Sequence, residues 1–527
     1  MIRRAAGLVA LIALVPPAAA QVSYQQSPAV LARFGEVDVA MTAPGLAPGR
    51  TAPASHEEMT AFLAGLQARH PGLALGSLGR SIEGRDIPVL VFTAEGVAEP
   101  AAVRALDRPI VWLVGQQHGN EPAGGEAMLA VAAALAEGEL KALLDRVTVV
   151  VVPRANPDGA AADTRVAANG LDPNRDHLLL TLAETRAIHA RMRDLPPDLV
   201  LDHHEFEVAG TWLRRFGGLQ GTDAMLLSAT HPEVPAAVQA FAGGAVLPAI
   251  EAALRVRGLS TFVYATPIGR TSERAVSVGG TAPGIARNLF GLTGALSFLV
   301  ETRGIGIGME GYQRRVATHY LAARAALELA AARGGEVRAL VDEARAGLAR
   351  EREPLVVGHA IANVKAVLPL VDPATGADKP VPAEMRDSRR ASVTATRPRP
   401  AGYLLQPEAA AALEALRIHG ARLCELASAE PLAAEAFRVK ARAAPVSRES
   451  INPEQAVAVT LEARAVAPAP GAAFVPLDQP LAAVIAAALE PDSPGSHVGV
   501  GLVPVAESGE APIYRLAAPP PGAACGP

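Results

Sequence analysis

The sequence predicts an α/β fold with a mixed, largely parallel sheet flanked by helices, and two observations indicate it. Over about residues 55 to 335, apolar runs of strand length alternate with longer helical patterns, which is typical of strand and helix layers. Four of these runs end directly before polar residues, at 110–115, 147–152, 199–201 and 295–300. Because ligand sites in open α/β sheets lie at the carboxyl ends of strands, these polar residues are expected to meet in one crevice.

Each of the four predicted strands is followed by its own polar segment. In chain order these segments are His118-Gly-Asn-Glu121, Arg154-Ala-Asn-Pro-Asp-Gly159, Asp202-His-His204 and Glu301. Pro122 fits the first turn of a helix over 123–136, which leaves the His118 segment as the connection between a strand and that helix.

The chain length predicts more than one domain. Its 527 residues exceed what one hydrophobic core usually supports, and 50% hydrophobic with 19% charged residues is typical of folded, globular protein. We expect a leader at 1–20, an N-terminal extension at 21–54, a catalytic domain at 55–350 and a C-terminal accessory domain at 351–527. The accessory domain contains strand-like and helical segments, so the sequence leaves open whether it is mixed α/β or β-rich.

The first residues predict a cleaved secretory signal. Arg3 and Arg4 precede an apolar run that ends at Val15, and small residues then offer a cleavage point before Gln21. The run is much shorter than the roughly 20 residues that span a bilayer. We therefore expect a periplasmic or secreted protein. No later segment of the sequence suggests a membrane span, so stable membrane insertion is not expected.

Charge and cysteine content narrow the classes further. The formal net charge is -5 and no basic cluster with interleaved aromatic residues occurs, so nucleic acid is not an expected partner. The two cysteines are Cys424 and Cys525. An oxidising compartment permits a disulfide between them, but their contexts leave both the bonded and the free state open.

The polar segments contain the ligands of a catalytic zinc site. His118, Glu121 and one histidine of the His203–His204 pair provide three ligands, and Glu301 remains as a spare carboxylate. Catalytic zinc is held by three nitrogen or oxygen side chains and keeps one position open for water. The sequence therefore predicts one Zn²⁺ per chain and a hydrolase.

Several motifs, in order, resemble one protein family. They are Gly79-Arg-Ser-Ile-Glu-Gly-Arg85, His118-Gly-Asn-Glu121, Asn156-Pro-Asp-Gly159, Asp172-Pro-Asn-Arg175 and Glu301-Thr-Arg303. Together they resemble the zinc carboxypeptidase family, in its bacterial exported branch, over about half of the chain. The resemblance implies that His118 and Glu121 hold the metal and that Glu301 is the general base.

The tandem histidines leave a choice for the third ligand. The resemblance favours His204, and strand alternation turns His203 to the opposite side if the strand continues. His203 then packs in the interior or supports the ligands.

Glu301 also has an alternative role, which is to pair with Arg303 at the end of a strand.

The resemblance also implies roles for four residues near position 170. Asp172 would hold the far nitrogen of His118, or it would only form a turn before Pro173. Asn174 and Arg175 would bind the free carboxylate of the substrate, to which a guanidinium offers two parallel donors. Arg165 would stabilise the carbonyl oxygen as its negative charge develops.

One departure from the family concerns the substrate. Digestive members have a tyrosine shortly before the base, but no tyrosine occurs between Gly279 and Glu301, and Tyr264 lies well upstream. Arg287 and Asn288 occupy this stretch, and they either contact the substrate or lie on a helix surface.

The sequence thus predicts a metallocarboxypeptidase that acts on peptides with a free C-terminal carboxylate. Two alternatives stay open. The first is a zinc amidohydrolase acting on peptidoglycan stem peptides or N-acyl amino acids, and the second is a non-catalytic module that binds peptides or cell wall.

Overall fold

A computed structural model describes residues 24–270, 273–426, 430–443, 455–506 and 509–525. The predicted leader at 1–20 and its cleavage point before Gln21 lie outside the described residues.

Helices cover both faces of the main sheet and connect most of its strands. Their bounds are α1 Pro28–Arg33, α2 His56–Arg69, α3 Pro100–Ala105, α4 Pro122–Glu137, α5 Pro157–Ala162, α6 Ala183–Asp194, α7 Gly210–Phe216, α8 Ala236–Phe241, α9 Leu247–Val256, α10 Ala286–Leu292, α11 Tyr312–Ala332, α12 Gly334–Arg350, α13 Ala410–His419 and α14 Ala482–Leu489.

The strands form three sheets. Their bounds are β1 Ala74–Arg80, β2 Asp86–Phe92, β3 Ile110–Gly115, β4 Thr148–Val152, β5 Leu199–Glu207, β6 Leu219–Gln220, β7 Ala224–Ser228, β8 Thr261–Val263, β9 Thr266–Ile268, β10 Ala275–Val278, β11 Leu296–Ile305, β12 Leu355–Val371, β13 Asp378–Arg397, β14 Gly402–Leu405, β15 Cys424–Glu425, β16 Leu432–Arg442, β17 Val457–Val466, β18 Ala473–Pro476, β19 Glu510–Leu516 and β20 Ala524–Cys525.

The main sheet confirms the predicted α/β class. It has eight strands in the order β1-β2-β4-β3-β5-β11-β7-β8. The neighbours β4, β3, β5 and β11 run parallel, and antiparallel pairs lie outside them. Residues of β3 and β4 are buried throughout, since helices cover the sheet. All four predicted strands lie side by side in this parallel centre.

The helix after β3 begins where Pro122 predicts it. Pro122 stands in the first turn of α4, and every residue of α4 from 123 to 136 is buried. This helix packs against β3 and against α11. Its burial between sheet and helix anchors the segment that carries His118 and Glu121.

A second sheet of five strands has the order β6-β12-β13-β10-β9. The long antiparallel hairpin of β12 and β13 supplies its centre, and β13 pairs in parallel with β10. The boundary predicted at residue 350 falls between α12 and β12. Because β6, β9 and β10 come from the predicted catalytic domain, residues from both sides of that boundary share this sheet.

The remaining strands form a seven-stranded antiparallel sheet in the order β17-β16-β19-β14-β18-β15-β20. The C-terminal region is therefore β-rich, with α13 and α14 packed on the first domain. Cys424 and Cys525 form a disulfide that joins β15 to β20, which selects the bonded state of the two that the sequence left open.

The expectation that no segment after the leader could span a membrane needs a correction. Among the described residues, the continuous helix Ala236–Val256, which includes α8 and α9, is long and apolar enough to cross a membrane by length and composition alone. Its buried residues recur every four positions from Val238 to Leu254, so one face packs on the protein core. That pattern is typical of a helix on the surface of a folded domain.

Four buried histidines lie where the C-terminal region meets the first domain. His177 Nδ1 lies 2.9 Å from His189 Nε2, and the ring of His419 packs edge-on against His189. The Nε2 atoms of His419 and His497 lie 3.3 and 3.2 Å from the carbonyl oxygen of Leu178, to which each donates a hydrogen bond. Burial lowers the pKa of His177 and His497 to about 4 and that of His419 to about 3.

Because these histidines are buried with lowered pKa values, we expect the protein to lose stability in mild acid. Below about pH 6.5 the histidines of the unfolded chain are protonated, whereas the buried imidazoles of the folded chain stay neutral. The free energy of unfolding should therefore fall as the pH is lowered from about 6.5 to 4, by up to about 1.4 kcal/mol per pH unit for each histidine. Urea unfolding at pH 7, 6 and 5 measures it. His497→Gln should reduce the slope, and an unchanged slope would contradict the prediction.

Candidate active site

The structure brings His118, Glu121 and His204 together at the carboxyl ends of β3 and β5. Their ligand atoms all lie within 4.8 Å of one another, and all three side chains are buried. The two histidine Nδ1 atoms are 3.0 Å apart, and a Glu121 oxygen lies 2.8 Å from each. Two imidazole nitrogens and a carboxylate that face one point form a donor set suited to zinc.

The far nitrogens of both histidines have carboxylate partners. His118 Nε2 lies 3.0 Å from Asp172 Oδ1, and His204 Nε2 lies 2.8 Å from Asp202 Oδ2. A proton on each Nε2 is donated to its carboxylate, which leaves the Nδ1 lone pairs free for a metal. The residues present therefore fit a zinc ion.

The charges within this cluster are strongly coupled. Burial opposes ionisation of Glu121, but the facing His118 and His204 hold its pKa well below the usual range. Burial likewise opposes the charged form of His204, yet Asp202 and Glu121 hold its pKa well above the usual value. A metal cation placed among these groups would displace protons from them, so its binding should weaken in acid.

His203 lies on the opposite face of the sheet from this cluster. The sequence predicted a strand that ends at Leu201, but β5 continues to Glu207, so alternation separates the two neighbouring histidines. His203 Nδ1 lies 3.0 Å from His319 Nδ1, whose ring also contacts Thr302 Oγ1 at 3.0 Å. His203 is thus an interior residue in contact with α11.

Glu301 lies beside the metal-ligand cluster. β11 runs parallel to β5 with Glu301 opposite His204, which puts the two side chains on the same face of the sheet. Arg303, the alternative partner of Glu301, donates instead to Gln26 Oε1 and to the carbonyl of Gln220. Burial, together with the charge of Glu121, raises the pKa of Glu301 to about 8.

Arg165 links the metal-ligand cluster to Asp172. Its Nε and one terminal nitrogen donate to Asp172 Oδ2 at 3.0 and 2.8 Å. The other terminal nitrogen lies 3.1 Å from His118 Nδ1 and 3.5 Å from Glu121 Oε1. Asp172 therefore contacts both His118 and Arg165. It also accepts the backbone N–H of Asn174, which caps the turn that follows Asp172.

Asn174 and Arg175 lie on the same side of the sheet. The Asn174 Oδ1 atom accepts the Ala286 N–H at 2.9 Å, and its Nδ2 atom lies 3.1 Å from His204 Nε2. Arg175 donates to the carbonyl of Asn174 at 2.7 Å. The side-chain amide of Asn174 thus also joins α10 to the metal-ligand cluster, a contact that the motif alone did not indicate.

Two of the sequence motifs meet away from the metal ligands. Asp158 accepts hydrogen bonds from Ser81 Oγ at 2.6 Å, from the Glu83 amide at 2.8 Å and from Arg85 at 2.7 Å. These bonds tie the loop between β1 and β2 to the start of α5. They position the segment that leads toward Arg165.

Sequence reasoning underestimated Tyr264 and Arg287. Tyr264 is far from Glu301 in sequence, yet burial and then the charge of Glu301 raise its pKa above the usual range, and the charges of Arg175 and Arg287 also act on it. Arg287 is buried, with 2% of its surface exposed, so it does not lie on a helix surface. No spacing in the sequence signals that the turn after β8 brings Tyr264 here.

Asn288 has a structural part in this region. Its Oδ1 accepts the Thr230 amide at 2.8 Å, and its Nδ2 donates to the carbonyls of Gly280 and Ala282 at 3.0 Å. Both ends of the side chain are engaged with the protein, so Asn288 holds the loop before α10.

Comparison with known proteins gives matches to carboxypeptidases. Residues 59–197 match the family model described as zinc carboxypeptidase, Peptidase_M14. Carboxypeptidase 2 of Trichophyton rubrum is 28% identical over 482 residues, which cover 90% of this chain and 88% of the relative. Carboxypeptidase 2 of Trichophyton equinum is 27% identical and covers 90% of each chain. These findings support a metallocarboxypeptidase, a hydrolase of peptide bonds that uses zinc.

A solved structure of a metallo-carboxypeptidase from Burkholderia cenocepacia is 21% identical, with a TM-score of 0.40, and the match covers 53% of this chain and 69% of that chain. The two Trichophyton relatives are fungal. The family model and these relatives support the family that the motifs resemble, and they do not support the narrower bacterial exported branch.

Proposed function

We propose that this zinc carboxypeptidase releases single amino acids from the C-termini of peptides, with His118, Glu121 and His204 as zinc ligands and Glu301 as general base. One observation carries the proposal. A buried set of three metal ligands lies directly beside a carboxyl group whose pKa is raised to about 8. Perturbed carboxyl groups beside a metal site are typical of acid–base catalysis.

The chemistry divides between the metal and the chain. A zinc ion held by His118, Glu121 and His204 would acidify a water molecule and polarise the scissile carbonyl. Glu301 removes a proton from the attacking water while the water oxygen bonds to the carbonyl carbon. Glu301 then returns that proton to the leaving nitrogen as the carbon–nitrogen bond breaks.

The arginines of the crevice bind the substrate in this proposal. Arg175, with Asn174, receives the free carboxylate at the C-terminus, since a guanidinium matches a carboxylate with two donors. Arg165 donates to the carbonyl oxygen as it gains negative charge. Asp172 holds Arg165 by two hydrogen bonds, which keeps the donor oriented before the reaction.

We also propose that the chain is exported to the periplasm or the medium, because residues 1–20 have the pattern of a signal peptide.

Incubation with defined peptides tests the proposed function. The protein starting at Gln21 is mixed with peptides of varied C-terminal residues, N-acyl amino acids and muropeptides, with and without a chelator, and products are identified by mass spectrometry. Loss of single C-terminal residues that stops with chelator is the expected result. Cleavage of muropeptides or N-acyl amino acids alone would favour an amidohydrolase, and binding without cleavage would favour a non-catalytic module.

Replacement of Arg165 tests its assigned role. Arg165→Met should lower kcat by about 100- to 1,000-fold, because removal of one donor to a developing oxyanion costs roughly 2.7–4 kcal/mol. Steady-state kinetics on a peptide substrate measure it, with zinc content checked in the same sample. A rise in KM at unchanged kcat would contradict a transition-state role and would assign Arg165 to substrate binding.

A further inference from the structure

The guanidinium of Arg287 is buried near the candidate active site, with no carboxylate within ion-pair distance in the part of the chain that the structure describes. Among the described residues its hydrogen bonds go to the carbonyl of Gly280 at 2.5 Å and to Thr230 Oγ1 at 3.5 Å, both from one terminal nitrogen. Its Nε atom is buried with no hydrogen-bond partner. Buried cations in proteins are usually paired, because an uncompensated charge away from water is costly.

Two other buried arginines of this chain have carboxylate partners, whereas buried Arg154 and Arg303 donate to amide and carbonyl oxygens. Arg315 lies 2.7 Å from a Glu205 oxygen, and Arg515 lies 2.6 Å from Glu435 and 3.1 Å from Glu490. Arg287 thus differs from Arg315 and Arg515 in having no carboxylate within ion-pair distance among the residues that the structure describes.

The position of Arg287 places this cation near the proposed site residues. The preceding residue, Ala286, donates its amide to Asn174, and Asn174 Nδ2 contacts His204. The charges of Arg175 and Glu301 act on Arg287. The cation therefore lies on the same side of the sheet as the proposed general base and the proposed carboxylate-binding arginine.

The local backbone is shaped to admit the guanidinium. Gly279 has a φ of 55°, and a Cβ at this position would stand 2.6 Å from a terminal nitrogen of Arg287. Any side chain at residue 279 would displace the head group. The loop thus leaves room for a buried cation that forms no ion pair with any described residue.

We propose that Arg287 selects an acidic residue, Asp or Glu, at the C-terminus of the peptide, by pairing with its side-chain carboxylate. This inference rests on the proposed carboxypeptidase function. Two cations then serve two carboxylates, with Arg175 on the terminal group and Arg287 on the side chain. The substrate supplies the anion that the protein does not.

Matched peptides that differ only in the last residue test this proposal. With zinc-loaded enzyme, we expect kcat/KM for a peptide ending in Glu to exceed that for the same peptide ending in Gln by about 100-fold or more, since a site built for a polar group discriminates strongly against its loss. In Arg287→Met this ratio should approach 1, and Arg287→Lys should retain part of it. The ratio is measured within one preparation, so partial unfolding does not change it.

Arg154→Met is the matched control. Arg154 is another buried arginine, which donates to Gln116 Oε1 and to the carbonyl of Ala54 at 2.7 Å. Its replacement should leave unchanged the ratio of kcat/KM for the Glu-ending peptide to that for the Gln-ending peptide. A second readout is the melting temperature of Arg287→Met, which should not fall, because the variant removes a buried charge without a partner.

The outcomes separate this inference from the proposed function. Preferred release of neutral or basic residues by the wild-type enzyme would overturn the role of Arg287 and leave the carboxypeptidase function standing. An equal loss for all peptides in Arg287→Met, with an unchanged ratio, would assign Arg287 to the common carboxylate or to the fold and would also overturn the proposal. Release of no residue from any peptide would instead reject the proposed function.

Discussion

Glu301→Gln is expected to lower kcat by about 100- to 10,000-fold while the protein keeps one zinc per chain. The range is that of general acid–base catalysis by a positioned side chain. Gln matches Glu in shape but cannot accept the proton of the attacking water. Because Glu301 is not among the three clustered ligands, metal content measured by mass spectrometry should equal that of the wild type.

Glu184→Gln serves as the control for this variant. Glu184 is also buried, burial raises its pKa, and it accepts the Ile82 amide at 3.1 Å away from the metal-ligand cluster. Its replacement should leave kcat within a few-fold of the wild type. Retained turnover in Glu301→Gln would reject Glu301 as the base, whereas loss of zinc from that variant would make it a ligand.

The stability of the metal-free protein gives an independent test of the raised pKa of Glu301. Its pKa is raised to about 8, so the unfolded chain ionises this group above about pH 4.5 while the folded chain retains the proton. The carboxyl group therefore lowers stability increasingly as pH rises from about 4.5 to 8. At pH 7 the metal-free Glu301→Gln variant should melt no lower than the metal-free wild type.

The centre of the fold was predictable because its pattern is local. Apolar strands that alternate with helices, together with Pro122 at the start of a helix, require no knowledge of distant contacts. The architecture of the C-terminal half was not predictable in the same way. β13 pairs with β10 more than 100 residues earlier. Its burial alternates from Val381 to Asp387, but the prolines and the many charged residues of this stretch weaken the strand pattern in the sequence.

The metal ligands were predictable for a related reason, since they lie at or just after the carboxyl-terminal parts of strands that lie side by side. Tyr264 and Arg287 were not, because their proximity to Glu301 depends on the path of the loop between β10 and α10 and of the turn after β8. No sequence spacing encodes that path. Asn174 shows the same limit, since its bond to the Ala286 amide joins residues 112 apart.

The pair His203 and His204 offers the second large effect, because the neighbours lie on opposite faces of β5. His204→Ala should lower zinc affinity by more than about 100-fold, since loss of groups that merely support a ligand already costs 10- to 100-fold. His203→Ala should keep one zinc per chain but melt at a lower temperature, because it removes the contact of His203 with His319 Nδ1 and opens space in the interior.

Thermal unfolding with added zinc separates the two variants without an activity assay. A ligand that binds only the folded state stabilises it by RT ln(1 + L/Kd), where L is the free ligand concentration, and so raises the melting temperature. Zinc should therefore raise the melting temperature of the metal-free wild type and of His203→Ala, and should have little effect on His204→Ala. The opposite result, with zinc stabilising only His204→Ala, would make His203 the ligand and would require β5 to end before residue 203, so that the alternation along the strand no longer sets the ligand face.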